Sequence, residues 1–75
     1  MFVTIYTIQN NMYCVMAKKY LEDKKIKYHE YDISEDIEKA REMEEKAQHI
    51  GVPVIEIGGK IVIGYDKKKL DKILD

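Results

Sequence analysis

Residues 2–33, FVTIYTIQNNMYCVMAKKYLEDKKIKYHEYDI, switch twice between a period of two and a period near 3.6, and that switching decides the fold. Phe2 to Ile8 interleaves β-branched and aromatic residues with threonine, the pattern and propensity of a strand. Gln9-Asn10-Asn11 breaks it. From Tyr13 the apolar residues fall at Tyr13, Met16, Ala17, Tyr20 and Leu21. That is one face of a helix, ending near Lys24-Lys25, where cations suit the negative end of the helix dipole. Asn11 is the expected N-cap, because its side-chain oxygen can accept the orphan amides of the first turn. Lys27 to Ile33 alternates again and reads as a second strand. Two strands joined by such a helix pair in parallel, with a right-handed crossover.

Outward from this unit, Ser34 reads as the next cap, with Glu35 and Asp36 in a first turn that favours acids. A second helix carries Ile37, Ala40, Met43, Ala47 and Ile50 on one face and stops at Gly51. Val52 to Ile57 and Lys60 to Ile63 flank Gly58-Gly59, a two-residue loop that tolerates positive φ and marks a β-hairpin. Gly64-Tyr65-Asp66 leads into a short helix with Leu70, Ile73 and Leu74 on one face. The order is β-α-β-α-β-β-α, an α/β chain. It predicts a four-stranded mixed sheet with three helices on its two faces, in a single domain over residues 1–75.

Composition narrows the function classes. At 75 residues, 45% apolar and 36% charged, the chain has room for one core. Apolar runs are a handful of residues, far below the ~18 of a membrane span, and no secretory-signal pattern opens the chain. A cytoplasmic monomer with no membrane contact is expected. Thirteen basic against fourteen acidic side chains, a net of −1, argue against a nucleic-acid partner. The six tyrosines have no basic stripe beside them. Tyr6, Tyr20, Tyr28 and Tyr31 read as core and sheet-face residues with wet hydroxyls. His29 and His49 stand alone, so no metal site is expected. The single cysteine, Cys14, excludes an internal disulfide, a four-cysteine zinc site and dithiol chemistry within one chain.

The order of elements, Tyr13-Cys14 at the start of the first helix and GVPVIEIGGKIVIGYD over residues 51–66 together resemble the glutaredoxin family of the thioredoxin fold. The likeness covers essentially the whole chain. In that family the strand-to-helix turn carries C-P-Y-C or a variant of it, and here the four positions read Asn11-Met12-Tyr13-Cys14. The tyrosine and second cysteine are kept. The first cysteine, the family's nucleophile, is Asn11, and the proline is Met12. Monothiol glutaredoxins keep the first cysteine and lose the second, so this is the reverse pattern. Iron–sulfur assembly, which uses the first cysteine, is not expected.

The resemblance also implies a groove. Pro53 matches the family's cis-proline facing the active-site turn, and Val52 before it pairs its backbone with an extended substrate. Gly64-Tyr65-Asp66 matches the segment that receives the γ-glutamyl end of glutathione, with helix amides for a carboxylate and an aspartate for the ammonium. Asp66 can also simply cap the last helix, and Lys67-Lys68-Lys69 can be a solvated charge run. Gln48 or His49 could assist from the end of the second helix.

Two functions stay open. One is thiol-disulfide exchange that is weak or altered, with Cys14 as the sole thiol. A helix N-terminus lowers a thiol pKa, so some thiolate character is expected there. The other is a non-catalytic module that binds glutathione, or an extended cysteine-containing peptide or protein disulfide, in the groove of Tyr13, Val52, Pro53, Gly64, Tyr65 and Asp66. For Cys14 itself the plainer reading is a small buried hydrophobe. No cofactor is required beyond glutathione as ligand or reductant.

Overall fold

Strand β1 (Val3–Thr7) opens the fold, and helix α1 (Met12–Asp23), strand β2 (His29–Asp32) and helix α2 (Ile37–Ala47) follow. The hairpin of β3 (Val54–Ile57) and β4 (Lys60–Ile63) and helix α3 (Lys67–Leu74) complete it, in a computed structural model that describes residues 2–75. The sheet order is β2-β1-β3-β4. β1 and β2 are parallel, β1 and β3 antiparallel, and β3 and β4 antiparallel through Gly58-Gly59, both at positive φ. This is the thioredoxin-like arrangement expected from the order of elements. None of the helices is long and apolar enough to cross a membrane.

Alternation along β1 divides the core in two. Val3 and Ile5 point to one face, where Ile55, Ile57 and Val62 join them against Ala17, Tyr20 and Leu21 of α1 and Leu70 of α3. Tyr6 and Val54 point to the other face and meet Met43 of α2. All five residues of β1 are buried, as a central strand covered on both faces requires.

Both ends of α2 and the buried stripe of α1 differ from the expectation. Asp36, not Ser34, caps α2 by accepting from the Lys39 amide at 3.1 Å. Ser34 instead donates its amide and hydroxyl to Asp32, closing a turn after β2. α2 ends at Ala47, where Gln48 takes the left-handed conformation (φ 54°) expected of Gly51. Ile37 and Ile50 are therefore exposed rather than part of the buried stripe. On α1 the buried stripe is Cys14, Ala17, Tyr20 and Leu21. Tyr13 and Met16 face solvent, at 58% and 39% exposure.

α2 buries only Met43 fully, so polar contacts carry much of its attachment. The Tyr6 hydroxyl donates to Glu42, and Lys46 Nζ lies 2.9 Å from Glu56 and 3.4 Å from the Tyr6 hydroxyl. Lys39 reaches Glu42 at 3.1 Å and lies 4.3 Å from the Tyr31 ring centroid. The hydrogen bond from Tyr6, then that from Lys39, hold the Glu42 carboxyl below its ordinary range. A depressed carboxylate stabilises the fold above its unfolded pKa, and this stability is lost as pH falls through the lower folded value. Tyr6→Phe is expected to lower stability at pH 7 by about 1 kcal/mol and to flatten the loss between roughly pH 5 and 3. Thermal melts of both proteins across that range check it, and an unchanged acid slope would remove Tyr6 from the account.

Candidate functional site

Strand register gathers the site at one end of the sheet. β1 delivers the chain into the Ile8–Asn11 turn at its C-terminal end. Tyr6 pairs with Val54 at the end of that antiparallel ladder, so Pro53, the residue before Val54, lies where β1 is ending. Val54 also pairs with Ile63, which brings Gly64 beside Pro53, and the Gly64 amide donates to the Pro53 carbonyl at 2.8 Å. Segments far apart in sequence thus meet: the turn before α1, the residues opening β3 and those entering α3.

The first segment is a helix cap. Asn10 is left-handed (φ 57°) and Asn11 extended (φ −110°, ψ 121°), and the Asn11 side-chain oxygen accepts from the Cys14 amide at 3.0 Å. Asn11 therefore does what its type predicts and satisfies one orphan donor of α1. Met12 and Tyr13, one and two residues on, are 72% and 58% exposed.

Cys14 turns the other way and is 1% exposed. Burial pushes its thiol up, while the Ile8 backbone and Lys18 pull it back and Glu30 and Asp32 push it further up. Against the expectation of some thiolate character at the helix end, the thiol is raised, with burial the largest cause. Nearby, the Thr7 hydroxyl donates to Glu30 at 2.7 Å and Lys18 binds the same carboxylate at 3.0 Å. That carboxylate, on the next strand, was not among the residues singled out from sequence.

Val52-Pro53 is a cis peptide, with Pro53 buried and Val52 half-buried. Among the described residues, no backbone hydrogen bond uses the Val52 amide or carbonyl. Gly64 holds φ 75°, a conformation open to glycine, where the chain turns from β4 toward α3. Asp66 caps α3 by accepting from the Lys69 amide at 3.0 Å and is itself exposed. One carboxylate oxygen serves the cap, so the other is available to an ammonium group. Tyr65 is half-buried, its ring edge-on to Tyr20 at 6.2 Å, so it belongs partly to the core. Lys67 pairs with Asp71 at 2.9 Å.

Among the described residues, no group of three or more His, Cys, Asp and Glu side chains is placed to hold a metal ion. An open cleft at the C-terminal end of α2 is bordered by Arg41, Glu44, Glu45, Gln48, His49 and Ile50. Of that set, Gln48 and His49 stood out in the sequence as possible helpers and Ile50 as part of an apolar stripe, while Arg41, Glu44 and Glu45 look like an ordinary solvated helix face.

Comparison with known proteins agrees with this fold. Residues 3–62 match the family described as Glutaredoxin. A glutaredoxin-like 8.6 kDa protein in the rubredoxin operon of Clostridium pasteurianum is 32% identical over 73 residues, 97% of each chain. The solution structure of glutaredoxin from Brucella melitensis is 34% identical, with a TM-score of 0.76 over 99% of this chain and 88% of that one. The glutaredoxin-like protein NrdH-redoxin from Escherichia coli shares the fold at a TM-score of 0.84 and 22% identity, over 97% and 95% of the two chains.

Proposed function

The chain belongs to the glutaredoxin family, and on that premise we propose that it binds partners of thiol-disulfide chemistry without exchanging disulfides efficiently itself. Its ligand is glutathione or an extended cysteine-containing peptide, held in the groove of Tyr13, Val52, Pro53, Gly64, Tyr65 and Asp66. The single observation that carries this reading is the burial of Cys14 to 1% exposure, behind an Asn11 that has no nucleophile to offer. Thiol exchange needs a thiolate that can reach the disulfide sulfur in line. Here the one thiol is enclosed, and burial raises its pKa.

The groove needs no cysteine. The free amide and carbonyl of Val52 can pair with an extended backbone. The turn at Gly64 and the first amides of α3 suit a carboxylate, and the outer oxygen of Asp66 suits an ammonium. Glutathione carries both groups. Slow exchange through Cys14 is the second reading, favoured by its place in the first turn of α1 and by the Ile8 backbone, which eases the thiol downward.

The two readings part in one experiment on the folded protein. With excess oxidised glutathione at pH 7.5, intact mass is expected to show no glutathione adduct until denaturant is added. In parallel, titration with S-methylglutathione is expected to move the backbone amide resonances of Val52, Gly64 and Asp66. A fast adduct on the folded chain makes Cys14 a working thiol. Resonance shifts confined to other surfaces would remove the groove.

A further inference from the structure

Helix α1 opens on Met12-Tyr13-Cys14-Val15-Met16, a run with no charged side chain. Cys14 turns into the core, and Met12, Tyr13, Val15 and Met16 stay exposed. Met12 and Met16 stand four residues apart, so they share one face of the helix with Val15 between them. Long helical side chains lean toward the N-terminus, which carries the Met16 thioether back over the first turn, toward Met12. The outer surface of this turn is therefore apolar and carries two sulfurs. It begins next to Asn11, which stands where the family resemblance implies the attacking cysteine.

Burial sorts the sulfurs of the chain. Among the described methionines, Met12 is 72% and Met16 39% exposed, while Met43, on the sheet side of α2, is 2% exposed. The Cys14 sulfur is enclosed and burial raises its thiol, so little thiolate is presented to an oxidant. A thioether needs no deprotonation to react. Its sulfur lone pair is available at any pH, and access alone limits it.

Resting on the groove reading above, we propose that Met12 and Met16 are the redox-sensitive sulfurs of this site, oxidised by hydroperoxides to sulfoxides that weaken the hold of the groove on its ligand. The methionine sulfur attacks the outer oxygen of the hydroperoxide, forming an S–O bond as the O–O bond breaks. Sulfur gives up two electrons. The departing oxygen takes the hydroperoxide proton and leaves as an alcohol, or as water from hydrogen peroxide. The product is a polar, chiral side chain where the thioether was apolar. Met12 precedes the groove residue Tyr13 and Met16 lies three residues beyond it, so a ligand seated on Tyr13 desolvates the new sulfoxides without offering them a donor. A methionine sulfoxide reductase restores both thioethers.

The test treats the folded chain with hydrogen peroxide and reads the position of each added oxygen by peptide mass mapping. Met12 and Met16 are expected to be oxidised before Met43, at a rate that does not change between about pH 6 and pH 8. Cys14 is expected still to be reduced when the chain is then unfolded and titrated with a maleimide. After the peroxide is removed, calorimetric titration with S-methylglutathione is expected to show about fivefold weaker binding than for the untreated chain, near the low end of the cost of covering an unpaired polar group. Treatment with methionine sulfoxide reductase should return the original affinity. Met12→Leu with Met16→Leu, which keeps the surface apolar and removes both sulfurs, should bind equally before and after peroxide. Oxidation of Met43 or Cys14 as fast as of Met12 and Met16 overturns the proposal. So does a leucine variant that loses affinity to peroxide all the same. An oxidised chain that binds as tightly as the untreated one sinks the switch and leaves the groove standing. An untreated chain that binds no S-methylglutathione removes the groove, and the switch falls with it.

Discussion

Restoring the missing nucleophile, by Asn11→Cys with Met12→Pro, is expected to turn a silent site into a disulfide reductase. Asn11 already has the extended backbone of an N-cap and points its side chain at the first-turn amides. A thiol there meets the positive end of α1 and is half-exposed, unlike Cys14. Lowering a thiol from about 8.5 to about 7 raises its thiolate fraction at pH 7 from roughly 3% to about half. Met12 is the first helical residue, where proline removes only an amide that had no helical partner, and the extended Asn11 backbone suits a following proline.

The chemistry then balances. The new thiolate attacks one sulfur of a disulfide, the other sulfur leaves as a thiolate, and a mixed disulfide forms. For a mixed disulfide of the substrate with glutathione, the substrate leaves as its thiolate and takes a proton. A glutathione thiolate then attacks the protein–glutathione disulfide, and the protein thiolate is restored as glutathione disulfide leaves. Substrate disulfide and one glutathione give substrate thiol and glutathione disulfide. Because Cys14 is enclosed, adding Cys14→Ser to the double variant is expected to keep most of the glutathione-linked turnover. The assay is reduction of a small mixed disulfide coupled to glutathione reductase, with at least about tenfold more turnover than the native chain, the gain expected from thiolate fraction alone. A folded double variant with no turnover would show that the groove does not align a disulfide with the cap, and would count against the site residues named here.

The largest stability change is expected from Leu21→Ala. Leu21 is fully buried where α1, the sheet and Leu70 of α3 meet. Truncation removes its transfer free energy and leaves a cavity that a close-packed sheet cannot refill, a cost of about 2–5 kcal/mol. A chain of this size has only about 4–11 kcal/mol in total. A loss near 3 kcal/mol lowers Tm by roughly 12–24 °C. Val15→Ala, at a position 56% exposed on the same helix, should stay within about 0.5 kcal/mol. Urea denaturation of both variants measures the contrast, and similar midpoints would mean that α1 is not docked as described.

These expectations draw unequally on sequence and structure. The order of elements, the Asn11 cap, the Gly58-Gly59 hairpin and the Asp66 cap were all legible, because turn and cap chemistry act over three or four residues. Glutaredoxin membership was legible too, since its motifs are short and ordered. The start of α2 was misplaced because Ser34, Glu35 and Asp36 compete for the same cap, and only the pull of Asp32 on Ser34 decides between them. The stripe on α1 was read one step off, through Tyr13 and Met16, because a lone cysteine carries little weight in a hydrophobic pattern.

What the sequence alone determined is the thiol count: Cys14 is its one cysteine, and Asn11 and Met12 stand where the family resemblance implies cysteine and proline. What the tertiary structure decided is the state of the thiol that remains. A helix N-terminus by itself favours a thiolate, but the Cys14 side chain is 1% exposed and its burial, the largest influence on it, raises the thiol. That outcome depends on which atoms surround a sulfur in three dimensions, and no spacing of residues along the chain encodes it directly.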